Sequence, residues 1–378
     1  MSLSPLDSTP DSTPQPLGSA SLDKPFHVLI LKTAALGDVL RTTSVLPGLA
    51  ARCRAEGRDL QLTWLTALGA EALLEGHPTI QHVLAIPLTD SEALERAAVQ
   101  LAETTWDRIL SFDDEAPLCR LATRLDANRG VITGAFEAPD GQRAYTDDVA
   151  PWFDMGLISV HGKERADQLK IDNRRSHPEI FSSMIGIEIG EPRLELPSEV
   201  LERARGRLAG QRGSLIGLNT GAGGRWTSKS LPEESVLGLA KFVDRSLEQR
   251  PTFVLLGGPE ERSRHKRLLN SLGSCVQIFD ATTENSLHGF AGLIDGLDLL
   301  VTSDSLAMHI AIARKRSVVA FFAPTSADEI ELFGRGSKVK STSLDYCSYL
   351  KDADRSSLTV ERIGAAVLEC LLRTSGQD

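Results

Sequence analysis

Short apolar runs of strand length alternate with amphipathic stretches along most of the chain. The first run, FHVLILK (26–32), is continuous, as in strands that are buried on both faces of a parallel sheet. Helical periodicity follows over 39–57, with a break expected at Pro47 because proline removes a helix hydrogen bond. Further strand-length runs lie at 60–66, 80–88 and 106–112, separated by helix-like stretches at 67–76 and 91–105. This alternation predicts βαβ units and a parallel sheet.

The alternation restarts near residue 200 and runs to the end of the chain. The intervening stretch GEPRLELPSEV (190–200) carries two prolines and is typical of an interdomain linker. We therefore predict an α/β protein with two consecutive parallel-sheet domains, 25–195 and 200–355, that face a central cleft. Strand-length runs in the second domain lie at 214–221, 252–258, 276–280, 298–304 and 317–324. The amphipathic tail, 359–374, is predicted to form a final helix.

Two segments do not follow this alternation. Residues 1–24 are rich in Ser, Pro and Asp and lack both a basic start and an apolar core. They are therefore interpreted as a disordered leader rather than a secretory signal. Residues 112–180 have no clear period and are interpreted as a loop-rich insertion with short helices.

Composition narrows the class of protein. The 378 residues contain 41 Lys and Arg against 51 Asp and Glu, and the formal net charge of −10 disfavours a nucleic-acid binder. Five scattered cysteines without a CxxC pair are typical of reduced thiols rather than of disulfides or a zinc site. No apolar stretch reaches the ~20 residues that span a bilayer. Together these features favour a cytoplasmic protein.

Candidate chemistry lies in the loops that follow predicted strands. In the first loop, Gly37 precedes Asp38 at the turn from strand to helix. Asp38 could cap the helix, because aspartate is favoured at helix N-termini, or it could point into the cleft as a general base. In NTGAGGRWTSKSLP (219–232), glycines allow close backbone approach while Arg225 and Lys229 supply positive charge. This loop fits a phosphate cradle, and equally a glycine loop with solvated cations.

Two further loops carry acids or a helix start. In GGPEE (257–261) the glutamates could simply complement the helix dipole. The stretch TSDSLAMHIAIA (302–313) offers the free N–H groups of a helix start to an anion, with Asp304 or Ser305 as the cap. His309 lies four residues after Ser305 on the same helix face, where an interior packing role is the alternative to a functional one.

Taken in order, these loops resemble glycosyltransferase family 9, whose best-known members are ADP-heptose:lipopolysaccharide heptosyltransferases. The resemblance is carried by Gly37-Asp38, Lys229 with Pro232, Gly257-Gly258-Pro259 with Glu261, Asp304-Ser305 with His309, and Pro324-Thr325. It covers about residues 26–335 and implies the GT-B architecture, with two Rossmann-like domains that bind the acceptor and the nucleotide sugar respectively. It also implies that the helix 359–374 crosses back onto the first domain.

The resemblance assigns roles to Asp38 and Glu261, and the charge that develops on a leaving diphosphate suggests further candidates. Asp38 corresponds to the general base that deprotonates the acceptor hydroxyl, and Glu261 to the residue that accepts hydrogen bonds from the ribose hydroxyls. The other residues assigned to the nucleotide-sugar donor are Thr220, Arg225, Lys229, Asp304, Ser305, Leu306, Ala307 and His309. Lys229 and the helix N–H groups at 305–307 would neutralise the leaving diphosphate, so that no metal ion and no cofactor is expected.

The implied activity is inverting, metal-independent transfer of heptose from ADP-heptose to a lipopolysaccharide-core-type acceptor. Such an acceptor is a phosphorylated glycolipid, reached by peripheral contact with the inner membrane. Leu306 replaces the glycine that is usual in the family, and Ala323 replaces the glycine of the usual GPT triplet. These departures leave open another nucleotide sugar, a protein acceptor, or an inactive nucleotide-sugar-binding module.

Two charged clusters in the poorly periodic segment remain. The first is a basic concentration that would suit a phosphorylated acceptor, with a solvated helix face as the alternative; it comprises Lys163, Arg165, Lys170, Arg174 and Arg175. The second is the pair Asp113 and Asp114, which superficially matches a metal-binding pair and is interpreted as solvated surface.

Overall fold

The computed structural model describes residues 24–222 and 226–375, which form two α/β domains. The first domain contains the strands β1 (Lys24–Leu31), β2 (Arg58–Ala67), β3 (His82–Ile86), β4 (Arg108–Ser111), β5 (Ile132–Glu137) and β6 (Arg143–Tyr145). Its helices are α1 (Leu36–Thr42), α2 (Val45–Ala55), α3 (Ser91–Ala102), α4 (Ala116–Asp126), α5 (Ala150–Phe153), α6 (Lys163–Asp172) and α7 (His177–Ile185). The predicted leader lies outside the described residues except for Lys24, which opens β1.

The second domain repeats the same design. Its strands are β7 (Leu215–Asn219), β8 (Thr252–Leu256), β9 (Gln277–Asp280), β10 (Leu299–Ser303), β11 (Ser317–Phe322) and β12 (Gly336–Lys340). Its helices are α8 (Ser198–Leu208), α9 (Glu233–Ser246), α10 (Arg262–Leu272), α11 (Leu287–Asp295), α12 (Leu306–Ala313) and α13 (Val360–Ser375). Single 3-10 turns occur at Glu71–Leu73, Asp147–Val149, Thr227–Lys229 and Pro259–Glu261.

Both sheets have the strand order of a Rossmann-like fold. The first runs β3-β2-β1-β4-β5-β6, all parallel except for the β5–β6 pair, and the second runs β12-β11-β10-β7-β8-β9, all parallel. β1 and β7 are therefore the first strand of their sheet and lie beside its switch point, where ligands of such sheets bind. The GT-B fold class that the sequence predicts is confirmed.

The apolar runs become buried strands as their pattern requires. The second half of β1 is fully buried, as are all five residues of β8 and of β10. The predicted helix over 39–57 is instead two helices, because the chain turns at Thr43 and Ser44. Pro47 lies in the first turn of α2, where its missing N–H has no helix partner to lose.

Three predicted segments differ from the structure. The helix expected at 67–76 is only a 3-10 turn, and the supposed linker ends earlier because its last residues start α8. Residues 112–180 contain an 11-residue helix and the hairpin β5–β6, which extends the first sheet and is more regular than a loop-rich insertion. Short strands such as β6, with three residues, are too brief to have a detectable period.

The C-terminal helix does not cross back to the first domain, so that expectation is wrong. α13 packs against α9 and against β10, β11 and β12 of the second domain. Its apolar face, which includes Ile363, Val367 and Leu371, is buried in the same cluster as Val236 and Leu239. Since burial of this face stabilises the helix where it lies, the second domain accounts for its position.

The two domains meet through apolar and polar contacts beside the linker. Leu40 and Leu73 of the first domain belong to the apolar cluster that contains Leu300 and Met308 of the second. α1 packs directly against α12, so that the helix starts following β1 and β10 are neighbours. This arrangement places the loops that carry the candidate residues at one interface.

Candidate active site

The loop between β1 and α1 is held in place by a buried acid. Asp113, two residues beyond β4, accepts hydrogen bonds from the backbone N–H and the hydroxyl of Thr33 and forms an ion pair with Lys32. It is only 6% exposed, and the interpretation of this aspartate as solvated surface is therefore wrong. The reason is topological: β1 and β4 are neighbours, so their carboxyl ends meet and the acid satisfies the loop backbone.

Asp38 is both a helix-start residue and a cleft residue. Its Oδ2 accepts a weak hydrogen bond from the Ala35 N–H at 3.3 Å, and its Oδ1 lies 2.9 Å from Arg41 Nη2. About a third of its side chain, 37%, remains exposed. Burial alone would raise the pKa of Asp38, but the charges of Arg41, Lys32 and His309 outweigh it and lower the pKa below the ordinary value. Asp38 is therefore ionised and accessible, as a base must be.

Lys229 and Asp304 form the charged centre of the second domain. The ammonium Nζ donates to the Asp304 carboxylate Oδ2 at 2.9 Å and to its carbonyl oxygen at 3.0 Å, and His309 Nε2 lies 3.7 Å from Oδ1. Burial opposes ionisation of Asp304, but Lys229 and His309 hold its pKa well below the usual range. In this structure the acid is thus the counter-ion that orients Lys229.

The start of α12 offers unpaired backbone donors beside this centre. Ser305 is the N-cap residue, and the first helical hydrogen bond is donated by the Met308 N–H to its carbonyl at 3.0 Å. The N–H groups of Leu306 and Ala307 precede that bond and have no helical partner. The Leu306 side chain packs against the apolar core, which leaves its backbone at the helix start. Such donors, at the positive end of a helix, suit an anion.

Gly37 and His309 bring the two helix starts into contact. A Cβ built on Gly37 would lie 2.5 Å from His309 Cδ2 and 3.2 Å from its Nε2. These distances leave no room for a side chain at position 37 while the ring keeps its place. The glycine therefore sets the spacing between Asp38 on one domain and the Lys229–Asp304–His309 centre on the other.

We expect Gly37→Ala to weaken this interface. The added methyl group must displace the His309 ring, which should lower the free energy of unfolding by about 1–3 kcal/mol and reduce activity. Gly206→Ala is the matched control, because Gly206 lies within α8 and nothing lies within 4 Å of its Cβ position. Thermal unfolding of both variants checks the prediction, and equal stabilities would refute it.

Thr220 and Glu261 lie in the loops that follow β7 and β8. The Thr220 hydroxyl is buried, 3.0 Å from His265 Nε2 and 3.2 Å from the Leu256 carbonyl oxygen. Glu261 accepts the Gly258 N–H at 2.8 Å and passes so close to Gly221 that a Cβ there would lie 2.0 Å from its Oε1. The two loops are thus packed on each other, with Glu261 partly exposed at their rim.

The structure brings most of the predicted site residues together. Around the interface of α1 and α12 it groups Asp38, Lys229, Asp304, Ser305, Leu306, Ala307 and His309. Thr220 and Glu261 follow the two adjacent strands β7 and β8. Arg225 lies outside the described residues. Ser305 is held by Asn219, whose amide Nδ2 lies 3.1 Å from the serine hydroxyl.

Several residues of the site were not predicted from the sequence. Arg41 pairs with Asp38, and a spacing of three residues on one helix was the available signal. Glu329 and Tyr349 come from irregular segments after β11 and β12, where no periodicity marks them. Lys170, from the predicted basic concentration, lies over the Tyr349 ring at 4.3 Å.

A groove of about 1080 Å³ lies at the opposite edge of the two sheets. It is lined by residues where β2 and β3 begin, by the linker at 191–195 and by the turn at 313–316, and none of the candidate residues contributes to it. Since ligands of such sheets bind at the carboxyl ends of the strands, we assign the site to the α1–α12 interface. Within 24–222 and 226–375, no group of His, Cys, Asp and Glu is arranged as a metal site, and no helix has the length and apolarity to cross a membrane.

Comparison with known proteins agrees with this geometry. Residues 174–355 match the model of glycosyltransferase family 9 (heptosyltransferase). Lipopolysaccharide heptosyltransferase 1 of Campylobacter coli is 20% identical over 364 residues, 90% of this chain and 99% of that protein. The solved structure of a family 9 glycosyl transferase from Veillonella parvula DSM 2008 has a TM-score of 0.72 at 18% identity, over 92% of this chain and 98% of that one. For ADP-heptose lps heptosyltransferase II of E. coli the TM-score is 0.64 at 17% identity, over 93% and 100%.

Two Rossmann-like domains with facing strand-end loops define the GT-B architecture. The family match and the full-length relative make the identification more specific. The resemblance to glycosyltransferase family 9 that the sequence motifs indicated is confirmed over residues 174–355, and the chain is a glycosyltransferase similar to heptosyltransferases.

Proposed function

We propose that the protein is an inverting, metal-independent glycosyltransferase that moves heptose from ADP-heptose to a phosphorylated glycolipid of the lipopolysaccharide-core type. The observation that carries the proposal is the facing pair of loops after β1 and β7. One presents the ionised Asp38 and the other the cation Lys229, with the N-terminus of α12 beside it. A base opposite an anion-binding centre is what transfer from a nucleoside diphosphate sugar requires.

In the proposed reaction, Asp38 accepts the proton of the acceptor hydroxyl as its oxygen attacks the anomeric carbon. The bond between that carbon and the diphosphate oxygen breaks, and its electron pair leaves with ADP. Attack from the face opposite the leaving group inverts the anomeric carbon. Lys229 and the N–H groups at the start of α12 neutralise the charge that develops on the diphosphate. Glu261, partly exposed at the rim of the loop after β8, is assigned to the ribose hydroxyls.

The donor is proposed from the relatives. The E. coli structure with the same fold is that of an ADP-heptose lps heptosyltransferase, and the Campylobacter relative is a lipopolysaccharide heptosyltransferase. Retention of Lys229, Glu261, Asp304 and His309 in a connected site supports the same donor class here. The Leu306 side chain, which the sequence alone made suspect, turns to the core and leaves the helix N–H groups in place.

The acceptor is proposed from charge. The segment 163–175 contributes Lys170 over Tyr349 and Arg174, whose Nη1 lies 3.8 Å from Asp328 Oδ2, so that it borders the second domain. Arg174 keeps 68% of its side chain exposed. In a protein of net charge −10, exposed cations at this border would attract phosphate groups of a glycolipid at the membrane surface.

A panel of nucleotides tests the donor. We expect ADP to raise the melting temperature of the full chain more than GDP, UDP or CDP at equal concentration, because binding to the native state alone stabilises it. ADP-heptose with a phosphorylated core glycolipid should then give transfer, and the dephosphorylated glycolipid should give less.

Other outcomes of the panel point elsewhere. Stronger stabilisation by UDP or GDP than by ADP would indicate that the donor is a UDP-sugar or a GDP-sugar instead of ADP-heptose. Stabilisation by ADP-heptose without transfer to any glycolipid or protein acceptor would identify a nucleotide-sugar-binding module that lacks turnover.

A further inference from the structure

One buried arginine lies between two carboxylates that belong to different domains. Arg41 is on α1, three residues after Asp38. Its Nη2 lies 2.9 Å from Asp38 Oδ1, and its Nη1 lies 3.7 Å from Glu329 Oε2 in the segment after β11. Only 14% of the arginine side chain is exposed. A single cation is therefore shared, unequally, by the candidate base of the first domain and an acid of the second.

The contacts of Arg41 leave it adjustable. Its Nε is buried without a hydrogen-bond partner, and its guanidinium carbon lies 5.3 Å from the centre of the Trp152 ring. An arginine is held most firmly when two parallel N–H groups bind one carboxylate. Here one terminal nitrogen faces each acid, so that a small change in domain spacing alters how the charge is divided.

Glu329, by contrast, is held. The Tyr349 hydroxyl donates to its Oε1 at 2.9 Å, and its carbonyl oxygen accepts the His177 N–H of α7 at 2.8 Å. Its side chain is only 11% exposed. The Tyr349 bond fixes the acid on the second domain, whereas the His177 bond crosses to α7 of the first domain. Separation of the domains therefore breaks the His177 bond and lengthens the Arg41–Glu329 contact, and it leaves the Arg41–Asp38 contact, within one helix, unchanged.

The surrounding charges identify Arg41 as the cation common to both acids. The groups that act on Asp38 are Arg41, Lys32, His309 and Asp304, and those that act on Glu329 are Arg41, Tyr349, Asp304 and Lys170. Burial raises the pKa of both carboxyls. Arg41 and its companions overcome burial at Asp38, whereas at Glu329 burial prevails and the pKa is raised. This difference between the two carboxyls agrees with the distances, because Arg41 lies 2.9 Å from Asp38 and 3.7 Å from Glu329.

We propose that Arg41 and Glu329 are positioning residues that make the proton acceptance of Asp38 depend on the approach of the two domains. With the domains together, Glu329 takes part of the charge of Arg41 and Asp38 is the stronger base. With the domains apart, Arg41 pairs with Asp38 alone and masks it. Proton removal from the acceptor is thereby coupled to arrival of the donor domain. The inference rests on the proposed role of Asp38 as the general base.

The pH dependence of kcat tests this coupling in the full chain. In Arg41→Met, fewer cations oppose the effect of burial on Asp38, so that the pKa of Asp38 should rise. The acid limb of the pH profile of kcat should therefore move up by about 1–3 pH units, while activity at alkaline pH is retained. In Glu329→Gln, Arg41 should pair with Asp38 alone and make it a weaker base. The kcat at neutral pH should therefore fall by about fivefold to tenfold, with the donor KM unchanged. In Arg41→Met/Glu329→Gln the second change should have no further effect, because Glu329 acts through Arg41.

A purely structural role gives a different result. If Arg41 only joined the domains, its replacement would lower activity at every pH and leave the acid limb in place. An additive loss in the double variant would also overturn the proposal. Should Arg41→Met fold poorly, Arg41→Lys keeps a cation that reaches one acid at a time, and it should behave like Glu329→Gln.

A measurement without turnover separates this inference from the proposed function. The carboxyl carbon of Asp38 can be titrated by nuclear magnetic resonance, with Asp38→Asn identifying its signal. Its midpoint should rise in Arg41→Met and fall in Glu329→Gln, and an unchanged midpoint in both refutes the coupling. Normal transfer by Asp38→Asn would instead refute its role as the base, whatever the titration shows.

Discussion

Asp38→Asn should retain the fold and donor binding while its transfer rate falls by a factor on the order of 10² or more. The amide is nearly the same size, and it keeps an oxygen for the Ala35 N–H, but it cannot accept the proton of the acceptor hydroxyl. The expected signature is a lower kcat with the melting temperature and the affinity for ADP close to those of the wild type. Steady-state kinetics and calorimetry with ADP measure these quantities.

The competing explanation, a helix cap alone, has a matched control. Asp90 caps α3 in the same domain and accepts the N–H groups of Glu92 at 2.9 Å and Ala93 at 3.1 Å. Asp90→Asn removes the same charge from a helix start away from the cleft. If Asp38 were only a cap, both variants would lose some stability and both would transfer sugar at the wild-type rate.

Lys229→Ala should have the largest effect on the donor. A diphosphate that loses a charge-assisted partner should bind about 10- to 100-fold more weakly, since a hydrogen bond to a charged group contributes about 1.5–3 kcal/mol. Calorimetry with ADP is the direct measurement. Arg250→Ala is the control, because Arg250 pairs with Asp244 at 3.0 Å where β8 begins, at the opposite edge of the sheet, and should not affect ADP.

The same substitution also removes the partner of Asp304, which must be separated from the loss of ligand binding. Breaking a buried ion pair destabilises because an uncompensated charge remains. Lys229→Ala/Asp304→Asn should therefore recover much of the stability lost in Lys229→Ala without recovering ADP affinity. Full affinity in either variant would move the phosphate site elsewhere in the second domain.

The architecture could be predicted from the sequence because buried strands and helices each leave a recognisable pattern of apolar positions. Strands with both faces covered are apolar throughout, and their alternation with amphipathic helices prescribes parallel sheets. The positions of Asp38, Lys229 and Asp304 followed from the same reasoning, since loops after such strands meet at one edge. The contact between Gly37 and His309 needed the relative placement of two domains, which no local pattern contains.

Contacts between distant segments explain what was missed. Asp113 was interpreted as an exposed acid because two further acids follow it in the sequence, and it is buried because β1 ends beside it. Glu329 lies in an irregular stretch, and its relation to Arg41 arises only when the second domain docks on α1. The final helix was misplaced because its position was taken from the family resemblance; its apolar face indicates that the helix is buried but not which domain buries it.

The position of α13 has a mechanical consequence. Because this helix remains on the second domain, the described chain passes between the domains once, through the irregular segment around 186–197, and does not return. Within the described residues there is therefore one hinge, where a returning helix would have given two. Rotation about that hinge is opposed by side-chain contacts such as those of Leu40 and Arg41, and the described part of the chain supplies no second covalent tether. The segment around 186–197 sets the effective concentration of one domain at the other. The contacts of the interface then determine the fraction of molecules in which the cleft is closed.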